Sequence, residues 1–304
     1  MLKKQEHKGL TWIDLENPTR DEVKEVMETY DIHPLVGEEL LSPTLKPKVD
    51  LYTDYIYLIL HFPAFRHTHS SRSEQEVDFV VGKNFLITTR YDTIDPMHKF
   101  SKVFEVNSIL DRSDMGEHAG FIFFYMIRKL YRSIGHELDF MSDALEAIEN
   151  RVFAGNEGEM VFEISKISRQ LLHFKRALSA HREVLESFAV ASKSLFGDGF
   201  SYHAKDIVGS YFRTAEMISG NLEFLNELRE TNNSLLSTKQ SGTMRVLAIV
   251  SFVMFPLTLV ASVFAIDSVS RPIIGSAGDF WIILGGMAGA AVILLLFFKI
   301  KRWL

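Results

Sequence analysis

The sequence predicts an α+β membrane protein, with a mixed α/β amino-terminal part, long helices after it, and two membrane spans at the carboxyl end. Three observations carry this. No charged residue occurs from Val246 to Ile266, and none from Phe280 to Phe298. Each run is long enough to cross a hydrocarbon core of roughly 30 Å at about 1.5 Å per residue. Upstream, apolar residues recurring at helical spacing mark long helices, and before those, β-branched and aromatic runs mark strands.

Composition narrows the function classes. The chain has 304 residues, 47% of them hydrophobic, a formal charge of -6 and no cysteine. A nucleic-acid protein would normally carry a basic excess, so that partner is excluded. Without cysteine there are no disulfides and no thiolate metal ligands. The opening MLKKQEHKGLTWID is charged and lacks the apolar segment of a cleavable signal peptide. Two uncharged runs in a chain that is 24% charged favour membrane spans over buried core helices.

Thr19 to Tyr30 reads as a short helix, opened by NPTRDE with its proline and acids. A second short helix, around Pro34 to Leu41, ends at SPTLKPK. DYIYLILHF reads as a strand, and EVDFVVGKNFLITTRY as two strands split by a GKN turn. From about Gly120 the strand signal ends. Ile134, Leu138, Met141, Leu145, Ile148 and Val152 form one helical stripe, and AGNEGE breaks it. Met160, Ile164, Ile167, Leu171, Phe174 and Leu178 form a second stripe, which implies an antiparallel partner. A third helical pattern starts near Lys205 and runs without proline to Pro256, a stalk leading straight into the membrane. The expected divisions are 1–203, a stalk over 204–243, a first span over 244–266, a loop over 267–279, a second span over 280–298 and a basic tail over 299–304.

Lys239 and Arg245 precede the uncharged run that begins at Val246, and Lys299, Lys301 and Arg302 follow the second run. The excess of basic residues on these flanks puts both termini in the cytoplasm of a cell (inner) membrane protein, with the short loop outside. Along the first span, Ser241, Met244, Ala248, Ser251, Phe255, Thr258 and Ser262 fall within an arc of roughly 100°. Such a stripe serves either tight helix packing or the wall of a pore, and spacing alone leaves both open. Gly285 and Gly289 in the second span form a G-x-x-x-G pair that admits a close neighbour. Two spans cannot enclose a channel, so a pore would need several copies in a ring. Asp267, at the end of the first span, would then recur once per subunit near the axis, where a ring of carboxylates attracts cations.

At this point the chain resembles the CorA family of magnesium channels, along nearly its whole length. IHPLVGEELL followed by KPKVDLYTDYIYLIL, then EQEVDFVVGKNFLI, are similar to that family's successive segments. TMRVLAIVSFVMFPLTLVASVF resembles its pore helix, through Met244, Leu247, Pro256 and Thr258, and FFKIKRWL resembles its basic tail. The resemblance implies a cytoplasmic α/β/α domain, a funnel of stalk helices and a homopentamer embedded in lipid. It implies no covalent cofactor, with Mg2+ or another divalent cation as both substrate and regulator. Pore-facing residues would be Ser241, Met244, Leu247, Ser251, Phe255, Thr258 and Ser262, with Met244 and Leu247 as the apolar gate. A regulatory metal between subunits would engage Glu38, Glu39 and Asp206, whose oxygens suit Mg2+. Lys299, Lys301 and Arg302 would form a basic ring at the cytoplasmic mouth.

Departures are equally specific. The family's Gly-Met-Asn stands here as Ala265, Ile266 and Asp267, and its Met-Pro-Glu as Arg271, Pro272 and Ile273. Ser241 stands where the family usually has Asn. If position 265 needs a positive φ, alanine costs on the order of 1 kcal/mol there. Asp267 would replace a ring of amide oxygens by one of carboxylates. Two other functions compete with a Mg2+, Co2+ or Ni2+ channel. A ZntB-like Zn2+ transporter would suit the imidazoles of His61, His67 and His69. A non-conducting scaffold or sensor would suit the lost motif. No nucleophile–base arrangement or phosphate-binding glycine loop suggests an enzyme.

Overall fold

The computed structural model describes residues 1–44, 46–64, 74–110, 116–266 and 278–301, with the side chains of 106–110 and 279 left aside. Asp267, Arg271, Pro272, Ile273, Arg302, His67 and His69 lie outside the described residues. The chain forms two compact units, Met1–Arg229 and Glu230–Leu304.

The first unit is built on a six-stranded sheet in the order β1-β2-β6-β5-β4-β3. Its strands are β1 (Leu2–His7), β2 (Leu10–Glu16), β3 (Lys48–Leu51), β4 (Tyr55–Pro63), β5 (Glu74–Gly82) and β6 (Phe85–Arg90). All neighbours run antiparallel except β2 and β6, which are parallel. The hairpin of β1 and β2 is absent from the reading of the sequence above. It turns on Lys8 and Gly9, at φ 49° and 80°. That pair of positive angles is what a two-residue hairpin with right-handed strand twist requires.

One face of the sheet is covered by α1 (Arg20–Tyr30) and α2 (Pro34–Glu39). Val23, Val26, Ile32, Val36 and Leu40 pack there against Ile13, Leu15, Tyr57, Ile59, Val80 and Ile87. Thr19 opens α1 with a capping box, its hydroxyl accepting from the Glu22 amide while Glu22 reaches back to the Thr19 amide. The opposite face carries α3 (Asp95–Leu110), α4 (Gly120–Phe153) and α6 (His181–Phe196). Phe79 meets Phe123 edge-on at 5.2 Å, and Phe123 meets Phe188 at 4.6 Å. The result is an α/β/α layering.

The two apolar stripes read from the sequence are buried along their whole length, on α4 and on α5 (Glu157–Ala177) with its cap Leu178. These helices pack together across a three-residue turn, Ala154 to Asn156. Beyond α6 and a single 3-10 turn, α7 runs from Ser201 to Phe264, 64 residues with Pro256 inside. Finally α8 spans Asp279–Ile300. The expected stalk and first span are therefore one continuous helix. In the second unit, Ile249, Val253 and Phe298 form a small buried cluster with Leu257, Ala291 and Leu294 against it.

Candidate functional site

Two groups of residues singled out above can be placed. The first is the uncharged part of α7. Ile249, Val253 and Leu257 face α8, and Pro256, Leu257, Val260 and Phe264 line an apolar cleft of about 320 Å³ against Ile282, Ile283, Gly286, Met287, Ala290 and Leu294. At about 100° per residue, that side is centred roughly 170° away from the arc of Ser251, Phe255, Thr258 and Ser262. The hydroxyl side is thus not used for packing between the chain's own two spans. Ser251 Oγ donates to the Leu247 carbonyl at 2.9 Å, and Thr258 Oγ1 to that of Met254 at 2.9 Å. Each hydroxyl proton is consumed inside the helix, so the outward aspect of both groups is an oxygen acceptor. Met244, Leu247 and Phe255 are exposed, Phe255 to 75%. Gly285 and Gly289 lie on the side of α8 turned from α7, and nothing stands within 4 Å of a Cβ built at either.

Pro256 has no amide hydrogen, so the Phe252 carbonyl loses its helical partner. Such a group at membrane depth is tolerated where protein or water meets it. Ala265 sits in the turn that closes α7, its N–H shared between the carbonyls of Ala261 at 3.1 Å and Ser262 at 3.2 Å. Among the described residues the non-glycine positive-φ positions are Lys8, Asn17 and Asp31. Alanine at 265 therefore carries no left-handed strain.

The second group is the acid set of the first unit. Glu38 is exposed at the end of α2. Glu39 is half-buried and held by Lys48 Nζ, 2.9 Å from Oε1 and 2.8 Å from Oε2. Lys48 also meets Asp50 at 2.7 Å. Burial opposes the Lys48 charge, yet its hydrogen bonds to Asp50 and Glu39 prevail and hold its pKa above the ordinary value. Tyr91 Oη lies 3.0 Å from the Glu39 carbonyl and 3.1 Å from Asp78 Oδ2, tying the end of α2 to the sheet. Asp78 is fully buried; that burial and the neighbouring Glu76 carry its pKa well above the carboxylate range. Asp206, in the second turn of α7, faces Arg213 at 3.5 Å and Arg128 of α4 at 3.6 Å.

Each carboxylate that the sequence assigned to metal regulation, Glu38 excepted, thus has a cation of its own chain beside it. Among the described residues no group of three or more His, Asp and Glu side chains is arranged to hold a metal ion. Carboxylate oxygens suit a hard divalent cation, but one protomer supplies them only in separate places. Arg128, Arg213 and Lys48 were missed in the sequence. Arg213 had a signal, since seven residues after Asp206 it returns to the same side of the helix; Arg128 had none, being far away in the chain.

His61 lies on a strand, as the run DYIYLILHF implies. It belongs to β4, with Nε2 3.0 Å from Glu76 Oε2 and 3.1 Å from the Thr44 carbonyl. Burial lowers its pKa, but the hydrogen bond and charge of Glu76 outweigh that and raise it. His181 Nε2 donates to the His61 carbonyl at 2.8 Å, so its Nδ1 accepts from Tyr131 Oη at 2.7 Å. Burial pulls His181 down to about 4. Both rings are engaged in the fold. Lys299 and Lys301 are exposed at the end of α8.

Comparison with known proteins places this arrangement. The model of the CorA-like Mg2+ transporter protein family matches residues 7–302. The cobalt/magnesium transport protein CorA of Thermotoga maritima is 25% identical over 296 residues, covering 97% of this chain and 83% of that one. The fold is that of the complete CorA magnesium transporter from Methanocaldococcus jannaschii, with a TM-score of 0.83 at 19% identity over 97% of this chain and 92% of that chain. The ZntB cytoplasmic domain from Vibrio parahaemolyticus is similar at a TM-score of 0.63 and 14% identity, over 75% of this chain and 88% of that one. With a family match that runs from the first strand to the end of the second apolar helix, the chain belongs to the CorA-like Mg2+ transporter family.

Proposed function

We propose that the protein is a homopentameric channel in the cell (inner) membrane, with both termini cytoplasmic, that passes divalent cations, Mg2+ first. The observation that carries this is the unpartnered hydroxyl side of α7, opposite the side that packs on α8. Acceptor oxygens repeated around an axis would replace part of a cation's hydration shell, whereas in lipid they would gain nothing. Ser241, Ser251, Thr258 and Ser262 would line the path, Met244 and Leu247 would narrow it, and Phe255 would face it. Asp267 would form the outer collar, and Lys299, Lys301 and Arg302 the basic ring. Divalent cations held between subunits at Glu38, Glu39 and Asp206 would regulate opening.

Purified protein in liposomes, loaded with a divalent-sensitive dye, tests the reading. Mg2+ uptake that depends on the inside-negative potential is the expected result. Zn2+ uptake without Mg2+ uptake would favour the zinc transporter, and no uptake of any divalent ion would favour the scaffold. Replacing Asp267→Ala should weaken capture from the outside and change ion preference; unchanged uptake and preference would remove that residue from the path.

A further inference from the structure

Asp206 has a charged neighbour at each of its carboxylate oxygens. Arg213 Nη2 stands 3.5 Å from Oδ1, and Arg128 Nε stands 3.6 Å from Oδ2. Neither arginine is there by accident of a loose chain. Arg213 donates to Ser210 Oγ at 2.9 Å, and a Cβ built at Gly209 would lie 3.4 Å from its Nη1, so its guanidinium runs along a stretch of helix bare of side chain. Arg128 lies over the Phe124 ring, 5.2 Å from the centroid, one turn away on α4. Guanidinium groups stay charged at every accessible pH. Two permanent cations are therefore set against the one stalk carboxylate assigned to metal regulation.

We infer that Arg128 and Arg213 are tethered competitors for the regulatory divalent cation at Asp206, and so set the internal cation concentration at which the channel closes. The inference rests on the reading of Asp206 as a regulatory ligand. Its magnitude follows from geometry. Contacts of 3.5 and 3.6 Å are ion pairs and not short hydrogen bonds. The arginine side chains are 44% and 65% exposed, so each pair is weak and solvent-screened. A hydrated Mg2+, which keeps most of its waters and needs one or two carboxylates, can displace them at a higher concentration. The guanidinium groups raise the threshold; they do not abolish the site.

The test uses the full chain in lipid nanodiscs, with Mg2+ titrated against limited digestion by thermolysin. Arg128→Gln with Arg213→Gln should lower the Mg2+ concentration for half-maximal protection by about tenfold, and each single change by about threefold. Arg213→Lys, which keeps the charge, should stay near the wild-type midpoint, and Asp206→Asn should remove protection. An unchanged or raised midpoint in the double variant would overturn the inference, as would full protection of Asp206→Asn or no protection of the double variant. Uptake into liposomes is read in parallel. Loss of uptake with the midpoint shift intact would refute the channel and leave the competition standing.

Discussion

Thr258 and Ser251 show how a single hydroxyl separates the two roles open to a small polar residue in a membrane helix. Each gives its proton to a carbonyl one turn back at 2.9 Å, which leaves an acceptor facing outward. Thr258→Val keeps the shape and removes the oxygen. Helix stability should change by no more than about 0.5 kcal/mol, while divalent uptake should fall several-fold, on the order of 1 kcal/mol in the barrier. Uptake by reconstituted variant and thermal melting in detergent separate the two effects. The histidines give a second residue-level prediction. His61 keeps its proton to higher pH when folded, so its contribution is complete below the ordinary 6.5 and fades as pH rises through the folded value. His181 is the reverse, held neutral down to about 4 from an ordinary 6.5. As pH falls from 6.5 towards 4, the unfolded chain takes up that proton first and the fold loses about 3 kcal/mol from this group. Ring signals in an NMR titration should show His61 titrating above 6.5 and His181 silent down to pH 5. A His181 midpoint near 6.5 would contradict its place between Tyr131 and the His61 carbonyl.

The elements differ in how far the sequence announces them. In α1, Thr19 and Glu22 cap the start, and Thr19→Ala should cost about 1 kcal/mol in a denaturant titration. At the turn of β1 and β2, Gly9 sits at φ 80°, so Gly9→Ala should cost about 1 kcal/mol and lower the melting temperature by roughly 2–4 °C. Yet that hairpin escaped the sequence reading while α1, α2, β4 and the β5–β6 hairpin were read within a few residues. The cause is physical: Leu2–His7 is an edge strand with alternate residues half-exposed, so its LKKQEH carries no apolar run. Helices α3 and α6 escaped because each is held by scattered aromatic contacts rather than one long apolar stripe: Phe100 of α3 meets Trp12 of the sheet, and Phe188 of α6 meets Phe123 of α4. The stripes of α4 and α5 were legible because each packs along one continuous line. In the site, the hydroxyl arc was legible from spacing, but its orientation relative to α8 was not. Nor was the pairing of Asp206 with Arg128, because 78 residues of chain separate them and only tertiary packing joins them.

At the scale of the molecule, the spans and the soluble unit make separate claims. Gly285 and Gly289 face away from α7, with room for a close neighbour, as expected of a chain that builds its membrane part from several copies. Native mass spectrometry from detergent should therefore return five copies; a monomer or dimer at all concentrations would exclude a central path. Which side of α7 meets that path is the central claim, and the chain offers a clean way to ask, because it has no cysteine. Single cysteines are introduced by Ser251→Cys, Thr258→Cys and Ser262→Cys on the hydroxyl side, and by Ile249→Cys, Val253→Cys and Val260→Cys on the side towards α8. Proteoliposomes are then exposed to a small, charged thiol reagent during Mg2+ uptake. Block of uptake at the three hydroxyl positions, with little effect at the other three, is the result the account predicts; block confined to Ile249, Val253 and Val260 would contradict it.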